Sequence, residues 1–470
     1  MERDKKKKLY NLRVLATNIF MAISVVAIAS ILTLLAMGYS LNKDGDFEQS
    51  GLLQIKSFPS GATVEIDGKT QFYRTEMSKM LSEGSHEVIV TKSGYSTWGT
   101  TLNIEAGLLT RIDWVRLFPL QRTVEDVHTY PALRLVSASP DSYYMALLTE
   151  DSTNLQLINI RADSVKYSNI DLMTFLPKDV PSIETTDDFI PTGLEIIQWS
   201  ENHNKFLLKW TFGKTVYWYL VDVTKPEDSV NLTAKFILDF TDLQIADAAA
   251  TKIWALESGN LRLIHTDNTT ISSVFVTNVE KFSAGTNAVA FIGTNSKNQR
   301  IVGLYQEGEK STTIQEIASS ISTCDVVYGN NWKNNWIAYT LDNRLFVRVD
   351  DHIIAENDLE FTPALLAASP TSRFAVASSD EQITTIDTEL EKRYDYAFPG
   401  ASINWLDNHI LWTDQDNQLT IIDFNGENRR ELTAIASGFD LALTRNNRWL
   451  YFIVPQPNDQ PGYVLQRERL

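Results

Sequence analysis

The sequence predicts a mainly β chain: one N-terminal transmembrane helix, a small β-sandwich, then a β-propeller of seven or eight blades, eight being the better count. Three observations lead there. A single charge-free apolar stretch lies near the N-terminus. Short alternating strands, broken by Pro and Asp-Gly turns, follow it. A strand–turn–strand unit then recurs about every 44 residues to the C-terminus.

Composition narrows the function classes. The 470 residues carry 42 Lys+Arg against 59 Asp+Glu, a formal net charge of -17. That acid excess argues against a nucleic-acid partner, which needs clustered cations. A single cysteine, Cys324, excludes an intrachain disulfide and a Cys-rich zinc site.

The charge is unevenly spread. Arg3, Lys5, Lys6, Lys7, Lys8 and Arg13 crowd the first 13 residues, and no charged side chain follows until Lys43. Ile19 to Met37 reads IFMAISVVAIASILTLLAM. As a helix it spans about 28 Å, close to the hydrocarbon thickness. Backbone amides in lipid must pair within the segment, so a helix is required. The basic cluster Lys5–Lys8 with Arg13 predicts a cytoplasmic N-terminus and the bulk of the chain outside. A cleavable signal peptide is the competing reading, with Ala36-Met37-Gly38 as a small-x-small site. Its apolar region is usually shorter, about 7–15 residues. No Cys adjoins the end of the stretch, so a lipoprotein anchor is excluded.

A polar linker precedes the sandwich. Leu52–Lys56 reads as a strand, broken at Pro59-Ser60-Gly61. Ala62–Ile66 alternates and ends at Asp67-Gly68, a hairpin turn signal. His86–Val90, Thr101–Ile104 and Ile112–Leu117 complete about five strands.

These residues resemble a known family. SFPSGATVEIDG (57–68) and GSHEVIVTKSGY (84–95) are similar to a PEGA domain. Pro59, Gly61, Ala62, Val64, Ile66, Asp67, Gly68, Gly84, His86, Val88, Val90, Gly94 and Tyr95 fall on its pattern. The resemblance implies a bacterial envelope β-sandwich without catalytic residues. The stretch KTQFYRTEMSKML departs from the family's Gly-x-Thr-Pro step. A rebuilt middle connection, drawn as a short helix, is the expectation there.

The repeats begin near Gln121. SPDSYYMALLT, SENHNKFLLKWT, KIWALE, AVAFIG, WIAYTL, SPTSRFAVASS, DNHILWT and RNNRWLYFIV each lead into a second strand. A single small sheet cannot bury both faces, so such units stack around an axis. Arg122–Tyr130 is a strand without a repeat of its own, and the last unit has three strands. The first can complete the last and close the ring. Seven blades stay open as a count, because the unit at 279–306 is indistinct. The Ser-Pro motifs and NQLTIIDFNGENRRELT (417–433) resemble TolB-type propellers. The boundaries read as a basic tail (1–13), transmembrane helix (14–41), linker (42–50), PEGA-like sandwich (51–119) and propeller (120–470).

No nucleophile elbow, Walker A loop, zincin motif or dinucleotide fingerprint occurs. No cofactor and no metal site are predicted. His86 reads as a strand histidine near a turn. Asp44-Gly45-Asp46, Asp187-Asp188, Asp350-Asp351 and Asp414-Gln415-Asp416-Asn417 read as solvated turns. Cys324, in ISTCDVVY, reads as a buried thiol. Aromatic rings stack on sugar faces or anchor protein partners, which makes Trp332, Trp210 and Trp218 the ligand or partner candidates. Blade cores use the same residues. Trp332, in the polar loop YGNNWKNN, is the best exposed of them, and Trp336 closes that loop. The acidic, Pro-punctuated loop at 177–193 reads as a mobile loop, with partner contact as the alternative.

The function expected is a membrane-anchored, non-catalytic binding or scaffolding protein outside the bacterial cytoplasmic membrane. Its partners would be the bilayer, through one helix, and a cell-wall polymer or envelope protein. The alternative is an extracellular hydrolase or lyase acting on glycans or peptides at the propeller mouth; a plain spacer is the third reading. Oligomeric state is left open.

Overall fold

The computed structural model describes residues 2–36, 39–41, 47–150, 152–161, 163–175, 193–212, 215–350, 352–398, 403–457 and 460–470. The chain divides into two compact units, 1–121 and 122–470.

The first unit opens with helix α1 (Glu2–Ala36). Within it, Val14–Leu34 is long and apolar enough to cross a membrane, and none of its surface is covered by protein. Its 21 residues rise about 32 Å. The helix takes in the basic tail and stops at Ala36, short of the expected residue 41. Tyr39–Leu41 is instead a strand, β1, paired with the start of β2 (Phe47–Phe58).

Six further strands complete the sandwich, making more than the five expected: β3 (Thr63–Ile66), β4 (Lys69–Arg74), β5 (Met77–Ser82), β6 (Gly84–Thr91), β7 (Trp98–Ile104) and β8 (Leu109–Arg116) join β1 and β2. One sheet sets β1 and β5 antiparallel and β8 parallel to β2. The other has the order β4-β3-β6-β7. Period-two alternation sends Leu53, Ile55, Val64, Ile66, Val88, Val90 and Ile112 inward around Trp98. Asp67 and Gly68 both take positive φ (49° and 71°), the geometry of a two-residue hairpin turn.

The expected helix at 69–81 is absent; that stretch is β4 and β5. Thr75 is the corner where the chain changes sheets. Its amide donates to the Ala62 carbonyl (2.9 Å), and its carbonyl accepts from Gly61 (2.7 Å). Its hydroxyl accepts from the Ala62 amide (2.9 Å) and meets the Ser57 hydroxyl (2.5 Å). A helix there would leave the edges of β2 and β3 unpaired.

The second unit is eight four-stranded antiparallel sheets among the described residues. In chain order the blades span 135–171, 193–231, 240–271, 279–316, 324–358, 365–397, 404–434 and 442–469. The indistinct unit is a full blade: Val279–Ala284, Ala288–Thr294, Arg300–Gln306 and Thr312–Glu316. The eighth blade has three strands of its own. Its fourth is β9 (Thr123–Tyr130), paired antiparallel with the C-terminal strand Tyr463–Arg469.

Packing explains the strand sequences. In Ala288–Thr294 six consecutive residues are buried, so alternation is lost. Both faces of a blade are covered by its neighbours, as in other doubly covered sheets. The hydrophobic clusters therefore lie at the seams. Leu148 and Leu157 of blade 1 meet Phe206 and Trp210 of blade 2. Leu207 and Trp218 of blade 2 meet Leu243 and Ile253 of blade 3.

Polar side chains lace the inner strands of successive blades. Asp440 accepts from the Ala138 amide (3.0 Å), Gln198 from Ile245 (2.7 Å), Gln244 from Ala284 (2.9 Å) and Ser283 from Tyr328 (2.9 Å). The Trp199 indole donates to the Ser137 hydroxyl (3.0 Å). Buried amides need partners, and these side chains supply them where no fifth strand can.

Candidate functional site

Of the three tryptophan candidates, the structure withdraws two. Trp210 and Trp218 are fully buried, in the seams on opposite sides of blade 2. They face opposite ways because they stand on neighbouring strands in adjacent register, Lys209 opposite Trp218 and Trp210 opposite Tyr217. The Trp218 indole donates to the Phe240 carbonyl (3.0 Å). Neither ring is open to a ligand.

Trp332 is 85% exposed. It sits in the turn between the first two strands of blade 5. Asn331 builds that turn: its side-chain carbonyl accepts from the Lys333 (2.9 Å) and Asn334 (2.8 Å) amides. Its amide group reaches into blade 6, to the Thr388 hydroxyl (3.1 Å). Trp336 turns inward and donates to the Ser372 carbonyl (2.6 Å). Gly329 lies flat beneath the Trp336 ring; a Cβ there would fall inside it.

The exposed indole is held from blade 6. Trp332 Nε1 donates to Glu389 Oε1 at 2.8 Å. The other Glu389 oxygen is 3.7 Å from Arg373 Nε. Arg373 is clamped by the fully buried Asp387, with Nη2 to Oδ2 at 2.7 Å. Asp387 also accepts from the Glu389 (3.0 Å) and Leu390 (3.1 Å) amides. A chain of charge-assisted contacts thus runs from a buried carboxylate to a surface ring. Such anchoring limits the rotamer freedom that an exposed tryptophan would otherwise lose on binding. Lys333 Nζ reaches the Glu389 carbonyl (3.5 Å), and in the same turn Leu390 is exposed and Glu391 contacts His352 (3.5 Å). An apolar face rimmed by hydrogen-bonding groups suits a sugar ring or a protein anchor residue.

A cleft of about 330 Å³ opens on the other side of blade 6, lined by Glu360, Phe361, Ile383, Thr384, Asp395 and Tyr396. It lies by the start of the third strand, whereas Trp332 lies by its end, so the two features are on opposite faces of the ring.

The remaining candidates resolve as follows. Lys5, Lys6, Lys7, Lys8 and Arg13 lie on the first turns of α1. His86 is buried between Asp67 Oδ2 (2.6 Å from Nδ1) and the Ser82 carbonyl (2.8 Å from Nε2). Both ring nitrogens face acceptors, an arrangement that suits the imidazolium. Burial lowers its pKa, but the Asp67 and Ser82 hydrogen bonds outweigh it and the net shift is upward. The bond to His86 in turn lowers Asp67. Cys324 is buried, and burial pushes its thiol pKa up. Asp414 accepts from the Gly438 amide (2.6 Å), tying its turn to the connection into the next blade. Asp44-Gly45-Asp46, Asp187-Asp188, Asp351 and the acidic loop up to residue 192 lie outside the described residues. Among the described residues, no three His, Cys, Asp or Glu side chains converge as a metal site would require.

Sequence reasoning missed the Arg373–Asp387–Glu389 support of Trp332 and the Gln198–Gln244–Ser283 lacing. One signal was present: a glutamine next to the last residue of an inner strand, as in GLEIIQW and FTDLQI.

Residues 50–116 match the model of the PEGA domain. No curated protein matches the chain. Several solved structures are similar to part of this chain. The C-terminal WD40 domain of Sif2 is 12% identical, covering 74% of this chain and 99% of its own, at a TM-score of 0.48. AztD from Citrobacter koseri is 10% identical, with 76% and 93% covered and a TM-score of 0.40. Oligogalacturonate lyase from Vibrio parahaemolyticus is 10% identical, with 74% and 98% covered and a TM-score of 0.42. At such distances no residue role passes to this chain. The blade count and the closure rest on its own strand pairing.

Proposed function

We propose that this chain, a PEGA domain followed by a β-propeller, is a single-pass protein of the bacterial cytoplasmic membrane whose propeller is a non-catalytic binding platform outside the cell. The basic cluster holds the N-terminus inside, α1 crosses the bilayer, and the sandwich and propeller stand beyond it. The ligand is a cell-wall polymer or an envelope protein. The observation that carries this reading is Trp332: an outward ring fixed through Glu389 and Arg373 to buried Asp387. A surface tryptophan costs solubility, and one braced by a three-residue network is a recognition surface rather than a packing remnant.

The test is co-sedimentation of residues 42–470 with purified cell-wall polymer, wild type beside Trp332→Ala. Saturable pelleting of the wild type and its loss in the variant is the expected result. Equal pelleting of both would remove Trp332 from the contact. No pelleting of either would remove the polymer as ligand, and cross-linking on intact cells would then seek the protein partner.

A further inference from the structure

The two outer faces of the sandwich differ. On the β4-β3-β6-β7 sheet the outward positions of β6 and β7 include the polar Ser85, Glu87, Thr101 and Asn103, and the exposed rings of Phe72 and Tyr73 stand on the edge strand β4. On the other sheet, Leu52 of β2 stands directly opposite Met80 of β5 and Leu109 of β8. The three form one row across the sheet, 37%, 50% and 56% exposed, and Leu108 beside them is 55% exposed. Their neighbours Leu53 and Ile112 point into the core, so the row points out. The next outward row, Gln54, Ser78 and Arg111, is polar. On the β2-centred sheet the exposed apolar side chains thus lie at one end.

That end is where the chain enters. α1 stops at Ala36 and β1 begins at Tyr39, a gap of at most about 11 Å. Tyr39 pairs with Gln49, and Leu52 lies three residues on, about 10 Å further. The row is therefore tethered within about 25 Å of the end of the apolar helix, allowing about 5 Å between paired strands.

We infer that the Met80–Leu52–Leu109 row is a membrane-contact surface, lying against the lipid headgroup region of the bilayer that holds α1. This rests on the reading of α1 as an uncleaved anchor. The polar row above it, with Arg111, then faces the headgroup–water boundary, the arrangement of interfacial contacts generally.

The full chain, in a Cys324→Ser background, tests this with single cysteines carrying an environment-sensitive fluorophore. Positions are Leu109→Cys, Thr101→Cys on the polar face, and Ile28→Cys in α1. Each is reconstituted in phosphatidylcholine/phosphatidylglycerol vesicles with nitroxide on the headgroup or deep on the acyl chain. The inference expects loss of fluorescence at 109 with the headgroup nitroxide and at 28 with the deep one, and none at 101. Quenching at 28 with 109 no different from 101 would leave the anchor standing and overturn the inference. So would a label at 109 that is shielded from aqueous iodide yet untouched by lipid nitroxide, because protein would then cover the row. An unquenched label at 28 would remove the anchor and the inference with it.

Discussion

Removing Arg122 should open the propeller at its closure. Its guanidinium grips Glu468 with both nitrogens, Nε to Oε1 at 2.6 Å and Nη2 to Oε2, and its third nitrogen donates to the Leu432 carbonyl at 2.7 Å. The Glu468 side chain is only 5% exposed, that of Arg122 31%. In Arg122→Met the carboxylate is left without its counter-charge. Breaking a buried pair from one side costs about 3–5 kcal/mol. Arg122 keeps some water contact, so about 3 kcal/mol is the expected loss, against about 0–1 kcal/mol for an exposed pair. Chemical denaturation gives the value, and amide exchange across β9 localises it. The double variant Arg122→Met/Glu468→Leu should recover most of the loss, since it buries no lone charge. A single-variant loss below about 1 kcal/mol, or a double variant as weak as the single, would refute the reasoning.

Other outcomes follow from the same structure. Gly329→Ala should destabilise blade 5 by about 1–3 kcal/mol, measured by thermal melting, because its methyl would fall inside the Trp336 ring. Asp440 has a pKa raised by burial, so its ionised form is the less favoured one in the fold. Its stabilising share is thus greatest below the unfolded pKa and falls as pH rises; Asp440→Asn should match or exceed wild type at neutral pH, while Asp440→Ala should lose about 1–3 kcal/mol by orphaning the Ala138 amide. The His86–Asp67 pair should give the sandwich a stability plateau. The His86 share is full below its unfolded pKa and is lost as pH rises through the raised folded one. The Asp67 share is full above its unfolded pKa and is lost as pH falls through the lowered folded one. His86→Gln should flatten the alkaline arm in a pH series of melting temperatures.

Much of this architecture was legible in the residues. Asp67-Gly68 specified its hairpin because only such residues accept two successive positive φ angles cheaply. The spare strand Thr123–Tyr130 was readable from counting: a three-stranded last unit lacks one neighbour, and this strand lacks a unit. What failed to show was tertiary. KTQFYRTEMSKML has no clear period, and its strands are set by the Thr75 contacts with Ala62 and Ser57, which lie well before it in sequence. Trp210 stands on a strand and Trp332 in a turn, and both lie in runs that mix polar and aromatic residues. Which one is exposed depends on whether a neighbouring blade covers it, and a one-dimensional reading does not contain that neighbour. Asp387 and Glu389 did not stand out among the 59 acids, because their role depends on Arg373 across the hairpin.

The closure also has a mechanical meaning. The chain passes from the sandwich straight into β9, so with α1 as the anchor proposed above, tension on it would reach the propeller at Thr123 first. β9 is held along its length by the C-terminal strand, from Thr123 opposite Arg469 to Tyr130 opposite Tyr463. Pulled along its axis, such a pair resists through many hydrogen bonds at once instead of one at a time. The Arg122–Glu468 grip stands at the loaded end, where peeling would begin. A load borne by a ligand on the ring would therefore pass through one blade containing both ends of the propeller, and the seven blades in between could keep their shape under pull.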